Sequence, residues 1–193
     1  MNALVLAGSI LGILTYIPLW KGIRSGEVNQ NLFTWILWVA VDFVIAASVI
    51  TQGGNFLLPV AYTVGSAITA FFIFASESRA SWTWIETVVA LLVVASMGVW
   101  VYSGSKLATI ASTTAMIIAG IPQLVDAWKK PREMPMPVFV SYFIANSLSA
   151  AGGKNWSIEE RFFPVALAFY CVAIIFCSAR RFWLKSAVDG VVH

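Results

Sequence analysis

Asp42 stands about ten residues into an apolar run, with Trp38 four positions before it and Trp35 seven before. If that run is a helix, the spacing puts all three side chains on one face. An ionisable group at such depth in a membrane helix costs about 2.5–3.5 kcal/mol on insertion scales, and it marks a solute or ion pathway. Phe139, Tyr142 and Asn146 repeat the pattern of two aromatics followed by a polar group. Flat aromatic faces beside hydrogen-bonding groups suit a sugar ring or a heteroaromatic base. Two roles stand for Asp42 and Asn146: they line a central binding site, or they glue helices by bonding to each other or to Ser and Thr neighbours. A buried carboxyl can also hold a proton, so Asp42 raises the question of proton coupling.

The two stripes belong to a longer repeat. Shifting the chain by 104 residues, without a gap, lays Pro18 on Pro122, Trp35 on Phe139, Trp38 on Tyr142 and Asp42 on Asn146. With one extra residue, Pro59 lies on Pro164. Pro18 and Pro122 fall within a turn or so of their expected helix ends. Each removes a backbone hydrogen bond and bends the helix, which reads as a paired hinge or gate, or as a helix stop before a polar loop. Gln123 is placed to bond a carbonyl freed by Pro122.

The elements that must hold these residues follow from composition. The chain of 193 residues is 60% hydrophobic and 11% charged, with mean hydropathy +0.84. Soluble domains carry roughly 25% charged residues, so this is the composition of an integral membrane protein. Seven apolar runs approach the roughly 20 residues that cross a hydrocarbon core. They are 3–20, 32–51, 56–75, 83–102, 107–128, 137–152 and 161–183. The opening Met1-Asn2-Ala3-Leu4 has no basic stretch ahead of the first run, so that run is expected to stay as a helix.

Basic residues are uneven about this frame. Lys21, Arg24, Arg79, Lys129, Lys130, Arg132, Arg180, Arg181 and Lys185 fall on one side, and Lys106, Lys154 and Arg161 on the other. The richer side is expected in the cytoplasm, with the N-terminus outside and the C-terminus inside the cell membrane. The net charge of +3 is read as this topology signal and as attraction to anionic lipid, not as a nucleic-acid footprint. Trp20, Trp82, Trp84, Trp100, Trp128, Trp156 and Trp183 sit near the expected helix ends, where the ring anchors at the headgroup layer. Glu86 and Asp126 are expected to face water or nearby basic side chains. Tyr62, Thr63, Ser66, Thr69 and Tyr170 are lesser candidates for pore contacts. Cys171 and Cys177 lie six apart on one helix, too far to bridge. His193 is the lone histidine, and no metal-ligating cluster or phosphate loop occurs, so neither a cofactor nor enzyme chemistry is expected.

The repeat maps runs one to three onto five to seven and leaves the fourth unpaired. The expected fold is therefore all-α: two parallel three-helix bundles, residues 1–78 and 105–193, joined by a linker helix within 79–104. Ile17-Pro18-Leu19 and Ile121-Pro122-Gln123 are similar to the proline-glutamine motif of the PQ-loop superfamily, and the three-one-three order resembles that of SWEET sugar transporters. The stretch Trp35-Ile36-Leu37-Trp38-Val39-Ala40-Val41-Asp42 resembles the Trp-rich helix of nicotinamide-riboside carriers. The chain departs from SWEET transporters in having no counterpart, in 56–75 or 161–183, of their paired asparagines. The resemblance implies a carrier for a small polar solute, a sugar first, working by alternating access. A riboside, a proton-coupled amino-acid-like solute, or a receptor that binds without translocating, as KDEL receptors do, stand as alternatives. A retinal photoreceptor is excluded, since 161–183 holds no lysine for a Schiff base.

Overall fold

A computed structural model describes residues 2–28, 30–76, 81–132 and 134–189; Arg79 and His193 lie outside the described residues. All regular structure among them is helical. The helices are α1 (Ala3–Leu14), α2 (Ile17–Ser25), α3 (Leu32–Thr51), α4 (Leu57–Ala75), α5 (Trp84–Ser103), α6 (Ser105–Ala119), α7 (Ile121–Lys129), α8 (Met136–Ala151) and α9 (Phe163–Asp189). A π-helical turn, Ile158–Phe162, opens α9.

Among the described residues, six stretches are long and apolar enough to cross a membrane: Ala3–Ser25, Leu32–Thr51, Leu57–Ala75, Trp84–Ser103, Ser105–Lys129 and Ile158–Arg180. The remaining expected run, the sixth (137–152), is the 16-residue α8. At about 1.5 Å per residue it reaches roughly 24 Å, short of a 30 Å core. Its start is fixed by the Pro135 and Pro137 pair, and its end by Gly152-Gly153.

The first and fifth runs are each two helices, not one bent rod. α1 stops at Leu14 and α2 restarts with Pro18 in its first turn; α6 stops at Ala119 and α7 restarts with Pro122 in its first turn. Proline fits there because a first-turn N–H has no intrahelical partner to lose. The prolines therefore start short second helices instead of closing the first ones.

α4 lies against α3 and α1, and α9 lies against α8 and α6. The two sets meet where α1 packs on α8 and α3 packs on α6, each contact the counterpart of the other under the shift. α5 packs on α6 and α3. Only Gly104, in the left-handed region at φ 81°, separates α5 from α6, a turn that a side chain would strain. Polarity is inverted relative to a water-soluble bundle. Phe71, Phe74, Val94, Val101 and Phe169 are exposed on the outer faces, while Ser48, Ser66, Thr69, Thr109, Thr113, Asn146 and Ser149 are buried. An apolar rim around a polar interior is the arrangement of a protein whose surroundings are lipid.

α1 and α8 approach closely because Gly8 has no side chain. A Cβ there would meet the carbonyl oxygen of Ala145 at 2.6 Å and the amide nitrogen of Ser149 at 3.0 Å. Backbone cannot swing aside as a side chain can, so Gly8→Val should cost more than the usual 1–3 kcal/mol, roughly, of an overpacked core. A clear loss of thermal midpoint in detergent micelles is expected, and an unchanged midpoint would refute this interface.

Candidate functional site

Asp42 is 2% exposed and Asn146 is 0% exposed, both at the centre of the helix assembly. They do not bond to each other. Instead each meets a hydroxyl on α4, one helical turn apart. The Ser66 hydroxyl donates to Asp42 Oδ2 at 2.9 Å, and the Asn146 amide donates to Tyr62 Oη at 2.8 Å. The second amide proton of Asn146 goes to the Tyr142 carbonyl, also at 2.8 Å. Asp42 Oδ1 and Asn146 Oδ1 are left without a hydrogen-bond partner. Two oxygens without a partner therefore share the centre, one of a carboxyl group and one of an amide.

Aromatic rings close the space around them. Tyr16 occupies the break between α1 and α2, and its hydroxyl lies 3.3 Å from Ser66 Oγ. Its ring stacks on Trp20 with centroids 5.9 Å apart. It stands edge-on to Trp35 (6.2 Å), Tyr62 (6.4 Å) and Tyr142 (5.9 Å). Tyr62 in turn meets Tyr142 at 5.6 Å and Phe163 at 6.0 Å. Edge-to-face pairs at these separations are favourable arrangements of aromatic quadrupoles. Trp20 is fixed by donating its indole N–H to Thr69 Oγ1 at 2.8 Å, and Trp35 by donating to Gln30 Oε1 at 3.2 Å.

Of the six side chains expected at the site, Trp35, Trp38 and Tyr142 pack on the central cluster beside buried Asp42 and Asn146. Phe139 does not join them. It lies in a second cluster with Ala127, Ile174 and Cys177, toward the far end of α8. The stripe on α8 is thus split: a residue seven positions from Asn146 shares its face but reaches past the centre and into the α7–α9 contact. Trp38 faces partly away, lining with Thr34, Ile85 and Glu86 a cavity of about 30 Å³. That is one water molecule's share of liquid volume. A larger groove of about 300 Å³ lies between α8 and α9 on the outer face. Neither cavity touches Asp42 or Asn146, which are buried beneath the surrounding rings.

The break after Ala119 is held differently from the expectation. Gln123 does not bond a freed carbonyl. The Tyr170 hydroxyl donates to Gly120 O at 2.9 Å, a carbonyl that also accepts the Leu124 N–H, with Gln123 Oε1 as a second acceptor at 3.1 Å. Gln123 carries its acceptor, not its donor, toward that contact. Glu86 is also a correction. It is 5% exposed and does not face water. It closes a capping box with Thr83 at the start of α5, accepting from the Thr83 amide and hydroxyl. It also accepts from Asn31 at 3.0 Å and Thr34 at 2.7 Å. Four donors satisfy that carboxylate without a cation. Trp82, Trp84 and Trp156 are exposed at helix borders, and Cys171 and Cys177 are free.

Tyr16 is the central residue that the sequence reading passed over. Its signal lay in the repeat, which sets Tyr16 against Gly120 directly before the matched Ile-Pro pairs. Compared with protein-family models, curated proteins and solved structures, the chain matches none.

Ser66 is the hydroxyl that meets Asp42, so Ser66→Ala should strand a buried carboxylate at a cost of about 1–3 kcal/mol. Thr63 bonds only its own helix, to Pro59 O at 2.9 Å. Thr63→Ala should therefore be much milder. Equal losses of thermal midpoint for the two variants would show that the Ser66–Asp42 bond has no special weight.

Proposed function

We propose that this protein is a membrane carrier for a small polar solute, working by alternating access about the Asp42–Asn146 centre. In this reading α8 completes a set of seven spans. Residues 1–78 and 105–193 form two pseudo-symmetric three-helix bundles, and α5 is the linker that gives them the same orientation. The basic loops face the cytoplasm and the N-terminus faces outside, in the cell membrane. The resemblance of Ile17-Pro18-Leu19 and Ile121-Pro122-Gln123 to PQ-loop proteins supports the same assignment. So do the paired contacts of α1 with α8 and of α3 with α6.

The observation that carries the reading is the pair of bare oxygens, Asp42 Oδ1 and Asn146 Oδ1, on matched positions of the repeat. A buried acceptor without a donor is costly, and it is retained where a ligand supplies the donor. The solute therefore presents hydroxyl or amine donors to both oxygens, and a flat face to Trp35, Tyr62 and Tyr142. A sugar meets both demands and is the first candidate; a riboside meets them with an added aromatic ring. The breaks before Pro18 and Pro122 give each bundle the joint that rocking needs. A receptor on the same fold would bind the same solute and leave it on one side.

Proteoliposomes should equilibrate radiolabelled glucose or uridine without added energy, and Asp42→Asn and Asn146→Ala should each reduce uptake to that of empty vesicles. Accumulation driven only by a pH gradient would instead make Asp42 a proton-coupling group. Normal uptake by both variants would remove the two residues from the pathway.

A further inference from the structure

We infer that Tyr16 is the gating residue of the centre: its ring must leave the space between Trp35, Tyr62 and Tyr142 before a solute can reach Asp42. This rests on the carrier reading and adds which end of the pathway opens and which side chain moves.

The first observation is a size exchange between the two halves. Tyr16 lies over Gly65, where a Cβ would meet its ring atoms at 2.5–2.8 Å. In the second half the same two places are Gly120 and Tyr170, and a Cβ on Gly120 would meet the Tyr170 ring at 2.5–2.8 Å. Each half thus has one ring seated on one glycine, but the ring comes from different helices. Tyr170 belongs to the body of α9 and clamps the Gly120 carbonyl. Tyr16 belongs to the break itself, one residue before the Ile17-Pro18 pair. Any change of angle between α1 and α2 therefore moves the Tyr16 ring, whereas Tyr170 stays with α9. Only the first half couples its joint to the centre.

The second observation concerns the two ends. Beyond Asp42, toward Gln52, polar bonds tie the halves together. Ser48 and Thr109 hydroxyls are 2.9 Å apart, and Thr51 donates to Ser105 at 2.7 Å. Gln52 donates to Thr109 Oγ1 at 2.8 Å, and the Asn55 amide donates to the Ser149 carbonyl at 3.1 Å. The Asn55 backbone N–H donates to Glu159 O at 3.0 Å. Toward the proline end, the halves meet at Tyr16, edge-on to Tyr142. Moving the Tyr16 ring gives up only the contacts of its own hydroxyl with Ser66 and Tyr142, whereas opening the other end breaks several hydrogen bonds between the halves at once. The proline end opens first, and Tyr16 is the ring in its way.

Cys171 provides a native reporter. It is 4% exposed and falls on Ser66 when the repeat is taken with its extra residue. In lipid nanodiscs both faces are open to reagent, and Cys177→Ala leaves Cys171 as the sole thiol. In that background Tyr16→Ala should speed labelling of Cys171 by the charged thiol reagent MTSET by roughly tenfold or more. Gly65→Ala, which keeps Tyr16 but unseats its ring, should act in the same direction. Tyr16→Phe, which keeps the ring, should label as the parent does, and so should Asn55→Ala. Parent-like labelling of both Tyr16→Ala and Gly65→Ala, with circular dichroism showing both folded, would overturn the proposal. Faster labelling in Asn55→Ala alone would overturn it too, by placing the gate at the opposite end. Opening by the Tyr16 variants in a protein that binds solute but never moves it would uphold the gate and end the carrier reading.

Discussion

A carboxylate at the centre of an apolar bundle, held by one serine hydroxyl, sets the terms for everything around it. Moving Asp42 into such a medium unpaired costs several kcal/mol, which only a donor, a cation or a proton offsets. Ser66 supplies one donor, and among the described side chains nothing donates to the other oxygen. The rest of the interior is arranged around that unmet demand. α4 stands between α1 and α3, so that Tyr62 and Ser66, one turn apart, reach Asn146 and Asp42. Tyrosine and tryptophan rings fill the remaining space and exclude water, which keeps the local dielectric low and the unpaired oxygen costly.

Two buried acidic groups, Asp42 and Glu86, show how differently a carboxyl group can be used. Glu86 receives four donors from Thr83, Asn31 and Thr34, and it fastens the start of α5 to the start of α3. Nothing is left for a ligand to satisfy, and its role is mechanical. Asp42 has one donor and one oxygen without a partner. Burial is similar; satisfaction separates them.

The two stretches that the 104-residue shift lays on each other are not interchangeable. Each sets a ring on a glycine, Tyr16 on Gly65 in one and Tyr170 on Gly120 in the other. One places an acid at the centre where the other places an amide, so Asp42 and Asn146 differ in what they can donate and accept. The Tyr16 ring sits at the break between α1 and α2, whereas Tyr170 sits in the body of α9 and bonds the Gly120 carbonyl.

What the sequence determined by itself is what depends on period and composition. Apolar runs of membrane length, the helix ends at Pro135 and Gly152, and the ungapped match of Asp42 to Asn146 are all local properties, legible without contacts. The deep burial of Asp42 also followed, since a lone carboxylate mid-run can only point inward. Tertiary structure decided the rest. Whether Pro18 bends a helix or starts a new one is settled only by the folded backbone, in which α1 ends at Leu14 and α2 begins at Ile17. Phe139 and Tyr142 occupy one face of α8, yet the position of α7 sends them to different clusters. Glu86 read as a surface acid until Asn31 and Thr34 came across from another segment. Tyr16 gains its place only through the fold, which sets its ring over Gly65. In each case the deciding partner lies far along the chain, and linear spacing carries no record of distances that only packing creates.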